Sequence, residues 1–150
     1  MRKPKILISS CLLGLPARYN GERQVHPLID ALEEKYELIA VCPETLGGLE
    51  IPRPPAEIVG KRVIDREGRD VTYEYEEGAQ RTLDIAKGLS IKIAVFKERS
   101  PSCGRGWIHD GTFTDGMVEA DGVCTRLLLK NGIRVVGESR IAELLENGAV

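Results

Sequence analysis

Four short apolar runs govern what this chain can fold into: Lys5–Ser9, Glu37–Val41, Ile91–Phe96 and Ile133–Val136. Lys5–Ser9 and Ile91–Phe96 are compact rather than alternating, and read as strands buried on both faces. Helical patterns fill the intervals. Pro27 suits the first turn of a helix through Leu28, Ala31 and Leu32. Tyr75, Ala79, Thr82, Leu83, Ala86 and Leu89 recur at helical spacing, with Thr72 as the expected N-cap. Val123–Lys130 reads as a helix stopped by Asn131-Gly132, and Ser139 opens a terminal helix through Ile141, Leu144 and Leu145, with Gly148 beyond its end. Strands alternating with helices imply an α/β fold: a mainly parallel four-stranded sheet between two helical layers. With 150 residues, the whole chain reads as one domain.

Two stretches are less regular. Gly47-Gly48 and Pro52-Arg53-Pro54-Pro55 forbid a helix and favour extended backbone. Lys61–Ile64 and Asp70–Thr72, around Arg66-Glu67-Gly68-Arg69, pattern a small β-hairpin that reads as a flap. Asn20-Gly21 marks a tight turn, and Gly104–Gly122 is a glycine-punctuated excursion.

Right-handed crossovers bring the carboxyl ends of parallel strands to one edge, where ligands bind. Cys11, Cys42 and Cys103 each follow one of the first three runs, so three thiols converge on that edge. Composition narrows their partners. A net charge of -2 gives no electrostatic footprint for long nucleic acid. No apolar run approaches the roughly 20 residues that span a bilayer. The basic Met1-Arg2-Lys3-Pro4 precedes a stretch too short and polar for a signal peptide. A cytoplasmic setting is expected, in which cysteines are reduced, metal-bound or catalytic. A doubly covered sheet of this size stands as a monomer or a small homo-oligomer.

Four readings of the thiols remain open. They are small buried hydrophobes; zinc ligands, although no close Cys-x-x-Cys pair exists; iron–sulfur ligands, where three thiolates leave one iron of a four-iron cluster open; or, for Cys103, a metal-free nucleophile with a depressed pKa. Cys124 starts from the same edge, but Val123 and Leu127 mark it as a packed residue rather than a fourth ligand.

Several motifs then act in combination. They are Ser10-Cys11-Leu12-Leu13-Gly14 with Arg18-Tyr19-Asn20-Gly21, Val41-Cys42-Pro43-Glu44 with Gly47-Gly48-Leu49, and Pro52-Arg53-Pro54-Pro55-Ala56-Glu57. Gly68-Arg69-Asp70-Val71-Thr72, Ser100-Pro101-Ser102-Cys103-Gly104, Asp110-Gly111 and Gly122-Val123 follow in order. Together they resemble the family long known as domain of unknown function 523, whose characterised members are 2-thiouracil desulfidases. The resemblance implies a Rossmann-like domain and an oxygen-sensitive 4Fe-4S cluster on Cys11, Cys42 and Cys103. It also implies non-redox removal of sulfur from a thiolated pyrimidine, with a small-molecule thiolated base or nucleoside as partner. His109 stands where the pattern leads one to expect Tyr, and Cys124 where it leads one to expect Thr.

For such a reaction Glu44, two residues from Cys42, is the candidate acid/base that activates water. Ser102 is the candidate donor to developing charge, or else caps its own turn. Ser10 and Ser102 are also candidate donors to a cluster sulfur. His109 reads as a turn residue and His26 as the lead into a helix. Arg18, Arg53, Arg99 and Arg105 read as loop charges at the carboxyl edge, available to substrate oxygens or a phosphate. The alternatives are a cluster carrier or electron-transfer protein, and a zinc/thiol structural protein.

Overall fold

The computed structural model describes residues 3–14 and 26–146. The expected turn at Asn20-Gly21 and the loop cation Arg18 lie outside the described residues.

Strands β1 (Lys5–Ser9), β2 (Glu37–Val41), β5 (Ile93–Phe96) and β8 (Arg134–Gly137) form one parallel sheet in the order β2-β1-β5-β8. β1 is central, pairing Ile6 with Leu38 on one side and Leu7 with Ala94 on the other. Side chains alternate between two separate cores. Ile6, Ile8, Ile93 and Val95 face α1 (Ile29–Lys35) and α5 (Ile141–Glu146), packing on Leu32 and Leu144. Leu7, Ala94, Phe96 and Val135 face α3 (Thr72–Gly88) and α4 (Val123–Lys130), packing on Leu83 and Leu128. Each fully buried branched side chain contributes about 1.5–3 kcal/mol. The inner strands β1 and β5 are therefore wet on neither face, which is why they lack an alternating pattern. The three-layer α/β expectation holds.

The flap differs from its expected form. β3 (Ala56–Val59) pairs antiparallel with β4 (Arg62–Asp65) across a tight turn at Gly60-Lys61. Gly60 has φ +62, the left-handed conformation that such a two-residue turn requires. The expected arm Asp70–Thr72 contributes only a bridge from Asp70 to Ile64 and bonds around Val63. Thr72 is the first residue of α3 rather than its cap, and its hydroxyl accepts from Val63 N–H (2.7 Å). Asp70 Oδ1 instead takes the Thr72 N–H at 2.9 Å.

The glycine-rich excursion folds into a second hairpin, β6 (Trp107–His109) with β7 (Met117–Glu119). Strands of three residues carry too little pattern to be read in advance. The buried Glu57 carboxylate ties the two hairpins together, its Oε1 accepting from Gly111 N–H (2.9 Å) and Phe113 N–H (3.2 Å).

Candidate functional site

Cys42, Cys11 and Cys103 follow β2, β1 and β5, which are neighbours in the sheet. Adjacent strands lie about 4.8 Å apart, so strand order itself arrays the thiols along the carboxyl edge. All three line one hollow of about 330 Å³, together with Glu44, Arg53, Tyr75, Lys97, Ser100 and His109. Cys124 does not line it. That thiol is fully buried between α3 and α4, where Thr82 hydrogen-bonds it. A wider hollow of about 730 Å³ lies beside the Lys5–Glu37 ion pair and carries no thiol.

Cys42 leads into α2 (Pro43–Leu46), a short helix absent from the sequence-based expectation. Pro43 occupies its first turn, where a missing N–H costs nothing. Backbone contact locks α2 onto α3. A Cβ on Gly47 would lie 1.8 Å from Glu74 O, and one on Gly78 would lie 1.8 Å from Pro43 O. No side chain fits between the two helices, and the contact seats both Cys42 and Glu44.

Cys103 sits in a loop shaped by Ser100. The Ser100 Oγ accepts from Ser102 N–H (3.0 Å) and Cys103 N–H (3.1 Å). Its own proton is thereby directed to Glu44 Oε1, 3.3 Å away. The other carboxylate oxygen, Oε2, meets Arg53 at Nε (2.9 Å) and Nη2 (2.7 Å). Behind the loop, the first N–H groups of α4 are taken by the Pro101 and Ser102 carbonyls. Cys11 lies in the 3₁₀ turn Ser10–Leu12. Ser9 accepts from Lys97 N–H (2.9 Å) and bonds the Cys103 thiol, joining β1 to the loop after β5.

The structure separates the candidates. Glu44, Cys11, Cys42 and Cys103 come together, and Ser10 and Arg99 also line the hollow. Ser102 does not: it is fully buried, and its Oγ has no partner. Ser100 closes the turn in its place. Arg105 is spent on Val135 O and Asp121, and His26 Nδ1 accepts from Leu28 N–H at the lead into α1. His109 lies on β6 rather than in a turn, and its Nδ1 is buried without a partner. Sequence reasoning missed Tyr75, taken for core, whose hydroxyl is in reach of Glu44. Its only sequence signal was a phenol on a helix aimed at the carboxyl edge.

Burial pushes the Cys11 thiol up to about 11, with nearby Lys97 opposing. Burial pushes Cys103 well above the ordinary thiol range, its neighbours Cys124 and Glu44 adding to the effect. A free nucleophile needs the opposite shift, so the metal-free reading of Cys103 loses its premise. Protonated, buried thiols instead suit donors that ionise when a metal displaces the proton. Among the described residues, no three His, Cys, Asp or Glu converge tightly enough for a single metal ion. The thiols surround a hollow rather than a point, and that donor set fits a polynuclear iron–sulfur group better than a lone zinc.

Fold and site together define an α/β protein with a three-thiol site at the carboxyl edge of a parallel sheet, beside an ion-paired carboxylate. The chain belongs to the 2-thiouracil desulfurase family, whose model matches residues 6–140. Among solved structures it is similar to a [4Fe-4S]-dependent thiouracil desulfidase, TudS, with 42% identity and a TM-score of 0.91, covering 99% of this chain and 100% of that one. It is also 39% identical to the uncharacterized protein YbbK of Bacillus subtilis (strain 168), over 93% of this chain and 99% of the relative. Among the described residues, no helix is long and apolar enough to cross a membrane.

Proposed function

We propose that this protein is an iron–sulfur-dependent desulfidase that converts a thiolated pyrimidine base or nucleoside to its oxo form. The observation that carries the reading is the convergence of Cys11, Cys42 and Cys103 on one hollow beside Glu44, with Cys124 left outside. Membership of the family and the likeness to TudS support it. A 4Fe-4S cluster held by those three thiolates supplies, when bound, an open iron that acts as a Lewis acid toward sulfur.

The chain's own residues do the rest. Glu44 accepts a proton from water as its oxygen adds to the ring carbon that bears sulfur. The proton returns to the departing sulfur, so that C=S and water become C=O and hydrogen sulfide. Ser100, held by two backbone N–H groups and aimed at Glu44 Oε1, keeps that oxygen oriented and stands beside the site of developing charge. In this scheme Ser100 takes the part first given to Ser102. The hollow's mixed polar and apolar lining suits a small heterocycle. Reduced thiols of this kind suit a cytoplasmic setting.

The test is anaerobic purification, with iron and acid-labile sulfide counted per chain and 2-thiouracil turnover followed. Cys11→Ala, Cys42→Ala and Cys103→Ala are expected to lose iron and turnover together, while Cys124→Ala keeps both. Loss of iron in all four variants would indicate a closed cluster and an electron-transfer or carrier protein. No iron under strict anaerobiosis would refute the reading.

A further inference from the structure

The two oxygens of Glu44 are not equivalent. Oε2 receives Arg53 Nε at 2.9 Å and Nη2 at 2.7 Å, whereas Oε1 takes the Ser100 hydroxyl at a long 3.3 Å, and the Tyr75 hydroxyl also bonds the carboxylate. The same guanidinium donates from Nη1 to the Glu50 carbonyl at 3.0 Å. Arg53 is therefore fixed at three nitrogens and cannot follow Glu44 through a rotation. Both side chains are largely withdrawn from solvent, with 7% of Arg53 and 15% of Glu44 exposed. A planar fork of this kind fixes the plane of a carboxylate as well as its charge, which an ammonium cannot do.

We infer that Arg53 is a positioning residue: it commits Oε2 and thereby makes Oε1 the oxygen that exchanges the proton. The inference rests on the desulfidase reading for its chemistry, but the pairing stands apart from it. It also reassigns a residue that the sequence offers only as a loop charge or a substrate contact. A guanidinium already engaged at Nε, Nη1 and Nη2 is badly placed to leave Glu44 for a pyrimidine oxygen. Arg53 acts on the reaction through Glu44, so its removal belongs in kcat rather than KM.

The experiment compares wild type, Arg53→Lys and Arg53→Ala, purified anaerobically and matched for iron content, with 2-thiouracil as substrate. Arg53→Ala is expected to lower kcat by about 100-fold with KM within about twofold of wild type. Arg53→Lys keeps the charge without the fork and falls between the two. Added methylguanidine is expected to restore kcat to Arg53→Ala saturably, which a purely structural defect would not allow. An unchanged kcat, or a raised KM with unchanged kcat, overturns the inference, the second by making Arg53 a substrate contact. A double-mutant cycle of melting temperature with Arg53→Met and Glu44→Gln, on the protein as purified, needs no turnover. Strongly non-additive shifts are expected, and additive ones overturn the pairing. If wild type fails to desulfurise while the cycle is non-additive, the desulfidase reading falls and the Arg53–Glu44 coupling stands.

Discussion

Ser100 and Ser102 carry the same hydroxyl two residues apart, and the fold gives them opposite surroundings. Ser100 accepts two N–H groups and reaches Glu44, while Ser102 is sealed behind the loop with an idle Oγ. Ser100→Ala is therefore expected to lower turnover by about 100-fold and to cost about 1–2 kcal/mol, because two loop N–H groups lose their acceptor. Ser102→Ala is expected to stay within about 0.5 kcal/mol of wild type and to keep its turnover. Steady-state kinetics and thermal melts of the two variants would check this, and equal losses would contradict it. The sequence reading named Ser102 in this loop and passed over Ser100. The choice is made by Glu44, which meets Ser100 across 56 residues of chain. Glu44 itself was legible because it lies beside Cys42 on a segment that Pro43 fixes.

At the scale of elements, the α2–α3 contact carries a prediction whose sign runs against intrinsic propensity. Inside a helix, Gly→Ala is normally favourable by about 1 kcal/mol. Gly78 lies in the middle of α3, yet a Cβ there would fall 1.8 Å from the Pro43 carbonyl oxygen. Gly78→Ala is expected to destabilise the fold by about 1–3 kcal/mol and to push α2 outward, carrying Cys42 and Glu44 with it. A lowered melting temperature together with reduced iron retention would bear this out, and a stabilised variant would refute it. The long elements were readable because 3.6-residue spacing and continuous apolar runs persist over many residues. Val123–Lys130 matches its expected span, as do β1 and β2, while the expected bounds of β5 and β8 shift by only a residue or two. The short pieces were not readable. α2 has four residues and β6 and β7 three each, and they exist because tertiary contacts hold them. Thr72 failed as a cap for a related reason: Val63 N–H claimed its hydroxyl from another element.

For the whole molecule, the layered sheet and its thiol-bearing edge followed from alternating elements and the handedness of crossovers, which depend on few residues. The buried state of the thiols has a global consequence with pH. The folded chain holds Cys11 to about 11 and Cys124 to about 12, against an ordinary 9.0. Below about pH 8.5 folded and unfolded chains both keep these protons, and the shifts leave stability unchanged. Above it the unfolded chain ionises first, so metal-free protein is expected to lose stability progressively toward pH 11–12 (roughly the folded values). Melting temperatures between about pH 8 and 11 would show the decline, with a shallower slope in Cys124→Ala; a flat profile would contradict it. Metal loading by the proposed ligand thiols should in turn release protons and strengthen as pH rises. The thiols also belong to three segments far apart in the chain, joined only through the folded sheet. Whatever clasps all three acts as a rivet through β1, β2 and β5, and unfolding must first withdraw it. Air, where it destroys the proposed cluster, would then work on this protein as a denaturant does. Shelf life in oxygen and resistance to heat would be one property measured twice.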